Sequence, residues 1–328
     1  MKLGAFVACG FVTLWTIPKV ARRIRPRVHM NACSVICMTR SKVIRPTTKR
    51  LDTVHSASYF AQEMVAELDV LGVERDAQYL AQRAAPLGRA SAELVTATFY
   101  SFAPSYVSAH VPACWEQAAP EEIHAARVRA AEKIVEKLVA GPDGSELLES
   151  IPHIRRALAP VLEASDVCGK PLYAAHVNAR KSTGDDASEL VQLWWDITLL
   201  REFRGDAHLA ALVATGVGSV ESIVLDSATG KSFAPYYMRK MRGWTSEEWA
   251  EVAEKLAMAG FLTSADDTAG LTEEGVKLRA HVEALTDMGV ASTWDALSDE
   301  QVSDLQGLAT LWATAVAKSE IIPPKLFG

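Results

Sequence analysis

The chain has 328 residues, 49% of them hydrophobic and 23% charged. That is enough length for two cores and an ordinary balance for a globular protein, which excludes a fibrous or wholly disordered chain. The net charge of −6 hides an asymmetry: residues 1–50 hold 11 of the 34 Lys and Arg and no acid, so the other 278 carry 23 basic against 40 acidic side chains. A body this acidic repels nucleic acid and anionic membrane unless a local basic face is built into it.

Residues 3–18 are uncharged and mostly apolar, and Lys19, Arg22, Arg23, Arg25 and Arg27 follow. The run falls short of the roughly 20 residues that a membrane span needs. We therefore expect residues 1–50 to be a basic leader, disordered or arising from a mis-set gene start (Met30 and Met38 are internal starts). A short anchor and a nucleic-acid arm are the alternatives, and no membrane is expected for the main body. The five cysteines, Cys9, Cys33, Cys37, Cys114 and Cys168, form no regular framework. Free thiols in a cytoplasmic protein, with no metal site, are the expectation.

A helical domain is expected over roughly 55–185. Phe60, Met64, Val65, Leu68 and Leu71 fall at helical spacing, and Gly72 stops that helix. Arg75 to Ala85 reads as a second helix, closed by Pro86-Leu87-Gly88. Ser91 to Phe102 is apolar on several faces, as in a buried helix, and Pro104 and Pro112 break the next stretch of chain. Pro120-Glu121-Glu122 opens a helix to about Ala140, with proline in the first turn and acids at the positive end of the dipole. Ser145 to Ala164 is the next helix, expected to kink or break at Pro152 and Pro160.

A second domain is expected over 186–328. Leu190, Leu193, Trp194, Ile197, Leu200 and Phe203 mark an amphipathic helix, which Gly205 is expected to interrupt so that Asp206 caps a new helix to Val213. Ser219 to Ala228 is a short helix. Thr245 and Glu248 form an S/T-x-x-E capping box, opening a helix to about Ala259. Gly260-Phe261-Leu262 and Leu271-Thr272 read as the two strands of a hairpin turned at 266–270. Thr272 then caps a helix over Glu273 to Met288. The fold class expected is mainly α, with a small β-hairpin wing on the C-terminal domain. A homodimer through 273–288 and the apolar segment 305–316 is also expected.

The order of helices, hairpin and long helix over about 200–290 resembles the winged helix of the multiple-antibiotic-resistance (MarR-like) repressors, in which a leucine-threonine-x-x-glycine run opens the helix after the wing. From about His55 the chain also resembles a little-characterised actinobacterial helix-turn-helix-like family. The matching residues are Arg83-Ala84-Ala85-Pro86-Leu87-Gly88, Ala97-Thr98-Phe99-Tyr100, Leu200 through His208, Arg242-Gly243-Trp244 and Leu271-Thr272-Glu273-Glu274-Gly275. The resemblance implies a fold and no activity.

In such a scaffold the capped helix 245–259 would face the major groove. It carries Glu247, Glu248, Glu251 and Glu254 against Lys255, and the expected wing tip carries Asp266 and Asp267. These acids repel phosphate, so DNA is disfavoured as a partner.

The strongest functional signal is Arg201, Glu202, Arg204, Asp206 and His208, ionisable groups inside an otherwise apolar helical run. Burying charge is costly unless the charges pair or perform a task. One reading is an internal salt-bridge network. The other is a pocket for a small anionic or polar ligand, in which Arg201 or Arg204 clamps the ligand, with Glu202, Arg83 and Tyr100 contributing. His208 oriented by Asp206 would supply general acid–base chemistry if the protein is an enzyme. No phosphate loop, dinucleotide fingerprint or nucleophile elbow accompanies them. The leading expectation is a small-molecule-binding protein on a regulator-like scaffold; an enzyme and a conventional DNA-binding repressor are the alternatives.

Overall fold

A computed structural model describes residues 32–184 and 186–323, and the first 31 residues of the expected basic leader lie outside them. The described residues form fifteen α-helices. They are α1 (Ala32–Ala57), α2 (Gln62–Val70), α3 (Gln78–Ala84), α4 (Ala92–Phe99), α5 (Pro104–His110), α6 (Cys114–Gln117), α7 (Pro120–Val139) and α8 (Gly144–Glu163). The rest are α9 (Pro171–Thr183), α10 (Glu189–Thr215), α11 (Ser219–Ser227), α12 (Pro235–Arg242), α13 (Ser246–Met258), α14 (Glu273–Met288) and α15 (Asp299–Ser319).

Helix α10 is the axis of the molecule. At 27 residues it is about 40 Å long, and it contributes to three of the apolar clusters. Its first half joins α1, α7, α8 and α15 around Leu51, Ile134, Ile154, Trp194 and Trp312. Its middle packs Leu199, Phe203 and Ala207 on Tyr173 of α9. Its last turns meet α11, α13 and α14 through Ala211, Leu212, Ile223 and Val282. A further cluster fills the space among α2 to α7.

Several sequence expectations need correction. The hairpin wing does not form: the described residues contain no strand, and Leu262 and Leu271 pair in a single isolated antiparallel bridge. Thr263 N donates to Gly270 O and Thr272 N to Phe261 O, but the ladder has no room to extend. Asp266 closes an Asx turn onto Thr268, and Thr272 is already the N-cap of α14. Gly275 is required here because a Cβ would lie 2.2 Å from Phe261 O. The first turn of α14 thus abuts the chain where a second strand would lengthen.

Gly205 does not interrupt α10, which runs unbroken from Glu189 to Thr215. A helical glycine costs about 1 kcal/mol. Burying Phe203, Ala207, Ala211 and Leu212 around it offsets more than that. Asp206 is consequently not a cap of a second helix. Likewise α8 continues through Pro152 and Pro160, because Leu147, Ile151, Ile154, Leu158 and Val161 anchor one face in the core. Helix α1, missed in the sequence, begins inside the expected leader and buries Ile44, Leu51 and Val54. The apolar face of 305–316 is spent within the chain, where Leu305, Ala309, Trp312 and Val316 are core residues. Among the described residues, no single helix is long and apolar enough to cross a membrane.

Candidate functional site

Helical geometry parts the charged cluster of α10 among three neighbours, since residues two apart point about 200° from one another. Arg204 and His208 face α14. Arg204 Nη2 lies 2.7 Å from Glu283 Oε2 and 3.3 Å from Asp287 Oδ1. Arg45 of α1 also pairs with Asp287 and Glu283. The salt-bridge network expected from the sequence is therefore present at this position, joining three helices. The Thr286 hydroxyl donates to Val282 O (2.9 Å), so its oxygen accepts from His208 Nδ1 at 3.0 Å. Burial lowers the His208 pKa.

Asp206 faces α9. Its Oδ2 accepts from the Tyr173 amide at 2.9 Å, at the N-terminus of that helix. Burial pushes this carboxyl up to about 6. Asp206 and His208 thus find their partners on different helices.

Tyr100 donates its hydroxyl to Val217 O at 2.6 Å. It lines a cavity of about 220 Å³ with Ser101, His208, Asp226, Arg279 and Glu283.

Arg201 and Glu202 face the interior, where the structure brings Arg83 to them along with residues the sequence did not single out. Arg201 pairs with Glu202 (2.5 Å) and with Asp52 of α1 (3.4 Å). Its guanidinium lies 5.9 Å from the Tyr59 ring. Arg83 rests on Phe99 at 4.5 Å and donates to the Tyr79 hydroxyl at 3.3 Å. Arg242, the last residue of α12, rests on Phe102 at 4.6 Å and donates from Nε to Ser101 Oγ. Arg127 of α7 has no exposed surface and stacks over Trp194 at 5.1 Å.

Two buried histidines complete the wall, and the network fixes their tautomers. His176 Nδ1 donates to Leu172 O, so Nε2 accepts from Arg127 Nη1 at 3.0 Å. Thr198 donates to Trp194 O and accepts from His55 Nδ1, leaving His55 Nε2 to accept from the Tyr59 hydroxyl at 2.7 Å. Burial holds His176 near 3 and His55 well below the usual range, so both are neutral.

Burial also raises Tyr59 to about 12. For Glu202, burial opposes ionisation, but Arg201, His176 and Arg83 outweigh it and hold the carboxyl well below the usual range. Tyr79 is lowered in the same way, with Arg83, Arg242 and Arg201 overcoming burial.

The cluster lines a recess rather than a solid core. Arg201 and Asp52 lie among these groups, yet their side chains keep 21% and 35% of their surface accessible. Tyr59, Tyr79, Arg83 and Arg242 are likewise only half-buried. Several polar atoms here have no partner: Arg83 Nε, Arg127 Nε and Nη2, Trp194 Nε1 and Glu202 Oε2. Arg83, Arg127 and Arg242 enter no ion pair among the described residues. An unpartnered buried donor costs about 1–3 kcal/mol, and more when charged, so such an arrangement calls for a complement.

A signal for Arg127 was present in the sequence. Ile123, Arg127, Ala130 and Ile134 share the buried face of α7, so an arginine stands at a core position of an amphipathic helix. His55, close to Leu51 and Val54 in α1, is a similar case.

A sequence model of a helix-turn-helix family matches residues 44–323. The chain belongs to that helix-turn-helix family. No curated protein and no solved structure matches it. Family membership supplies a transcription-regulator-like helical scaffold, in which α11 and α13 pack together through Val220, Val224, Trp249 and Ala253. The outward face of α13 presents Glu247, Glu248, Glu251 and Glu254 to solvent. Arg239, the nearest cation in α12, is committed to Asp267 at 2.9 Å.

Proposed function

We propose that this protein is a small-molecule-binding member of its helix-turn-helix family, taking a polar or anionic ligand into the recess lined by Arg83, Arg201 and Arg242, with Arg127 buried behind them. The observation that carries this reading is that three of those arginines, one of them fully buried and two half-buried, form no ion pair with a carboxylate among the described residues. Leaving a buried charge uncompensated costs several kcal/mol, and a protein keeps that arrangement when something else supplies the missing charge. The accessible parts of Arg201 and Asp52 and the half-buried Arg83 and Arg242 favour a ligand that makes hydrogen bonds.

Duplex DNA, which the family makes a partner to test, is disfavoured by the acidic face of α13, since phosphate contact requires free Lys and Arg. The enzyme alternative built on His208 and Asp206 is disfavoured, because His208 faces α14 and Asp206 faces α9.

Native mass spectrometry of the full chain tests the proposal. The expected result is a retained small molecule, lost in Arg127→Met, together with weak and sequence-indifferent DNA binding in a mobility-shift assay. A ligand-free mass, unchanged stability in Arg127→Met and tight DNA binding would reverse it.

A further inference from the structure

We propose that the ligand of this recess is a phosphate-like dianion, engaged by the guanidinium groups of Arg83, Arg201 and Arg242, with Arg127 buried behind them. This rests on the reading of the recess as a ligand site and adds the charge and chemical class of its occupant.

The inference comes from a charge count. Three arginines line the recess with Arg127 behind them, and the carboxylates facing them are Glu202 and Asp52. The two histidines are neutral and add nothing. Asp206 accepts from the Tyr173 amide at the N-terminus of α9, and Asp226, which also favours the charge on Arg242, pairs with Arg279 at 2.8 Å. Residues 1–31 contain no Asp or Glu, so that segment brings no side-chain counter-charge. The four guanidinium groups outnumber the two carboxylates paired with them, in a space walled by Trp194, Phe99, Phe102, Tyr59 and Tyr79.

Like charges this close destabilise one another: Arg83 and Arg201 both act against the charge on Arg242, and Arg201 acts against that on Arg127. An incoming group with two negative charges offsets this excess more fully than a monoanion does. Guanidinium forks match the oxygens of a phosphate group in geometry as well as charge. The Arg201 guanidinium, with 21% of its side chain accessible, and the half-buried Arg83 and Arg242 are the donors within reach of those oxygens.

Calorimetric titration of the full chain at about pH 8, above the second phosphate pKa of about 6, tests the charge directly. Phenyl phosphate and phenyl sulfate have nearly the same shape and differ by one charge. The dianion should bind at least about tenfold more tightly, the lower end of coupling for close charge pairs. Inorganic phosphate serves as competitor: equal strength points to the free ion, weaker competition to an ester, and either supports the proposal.

Arg83→Met and Arg242→Met should each bring the phosphate-to-sulfate ratio toward one. Arg242→Met should also raise the melting temperature of the ligand-free protein, because Arg83 and Arg201 both act against the charge on Arg242. Equal or tighter binding of phenyl sulfate, or of neutral benzyl alcohol, overturns the dianion while leaving the recess as a binding site. A fall in ligand-free melting temperature in Arg242→Met shows that the protein balances these charges itself, and also overturns the proposal. If no probe binds and native mass spectrometry retains nothing, both readings fall.

Discussion

Glu202→Gln is the sharpest probe of the interior charges. Glu202 has a side chain only 1% exposed and is the closest counter-charge to Arg201. It also lies 3.9 Å from His176, which in turn holds Arg127. The amide keeps the shape and removes the charge, leaving Arg201 with only the more distant Asp52 and raising the positive excess of the recess by one. Removing one member of a buried pair costs about 3–5 kcal/mol, and we expect a loss in that range from urea unfolding followed by tryptophan fluorescence at neutral pH.

The pH dependence supplies an independent check. The folded pKa of Glu202 lies below its unfolded value of about 4.3. Its contribution is therefore fully present above that value and is lost as pH falls toward the folded pKa. The deficit of Glu202→Gln relative to the parent should be greatest at neutral pH and should shrink as pH falls below about 4.3. A deficit under about 1 kcal/mol at neutral pH, or one independent of pH, would refute the view that Glu202 is an ionised partner of Arg201.

The other predictions concern the scaffold. Asp206 has the opposite sign: its folded pKa, near 6, lies above the unfolded value, so the parent should lose stability between about pH 4 and pH 6. Asp206→Asn keeps an acceptor for the Tyr173 amide and should abolish that component of the urea-unfolding profile. Gly243→Ala should cost about 2–4 kcal/mol in chemical denaturation, because Gly243 has φ +74 and a Cβ there would lie 2.2 Å from Tyr106 Cβ. Arg204→Ala should cost about 1–2 kcal/mol through loss of Glu283 and Asp287 and leave phenyl phosphate affinity unchanged; a loss of affinity would return Arg204 to the ligand.

Local features were read well where local physics decides them. The capping box at Thr245 and Glu248, the Pro120 helix start and the Thr272 cap stand where the sequence put them, since each is a contact within a few residues. The failures share a cause. Leu262 and Leu271 look like strand residues, but the turn at Asp266 and the start of α14 leave them one bridge. Gly205 looks like a break, but its helix is held by side chains from α9, α14 and the end of α10 itself.

The charged run on α10 marked the right region and grouped residues that do not act together. Sequence proximity placed Arg201, Arg204, Asp206 and His208 in one cluster; a helix turning about 100° per residue sends them to different neighbours. Residues 52, 83, 127 and 242 sit on four other helices and meet Arg201 only when those helices pack.

From the sequence alone came the helical class, the helix boundaries that capping controls, the acidic face of α13 and the presence of charge in an apolar helix. Which charges find partners was decided by tertiary packing. A carboxylate compensates an arginine only at a few ångströms, and a distance of that kind between remote segments exists only in the folded chain.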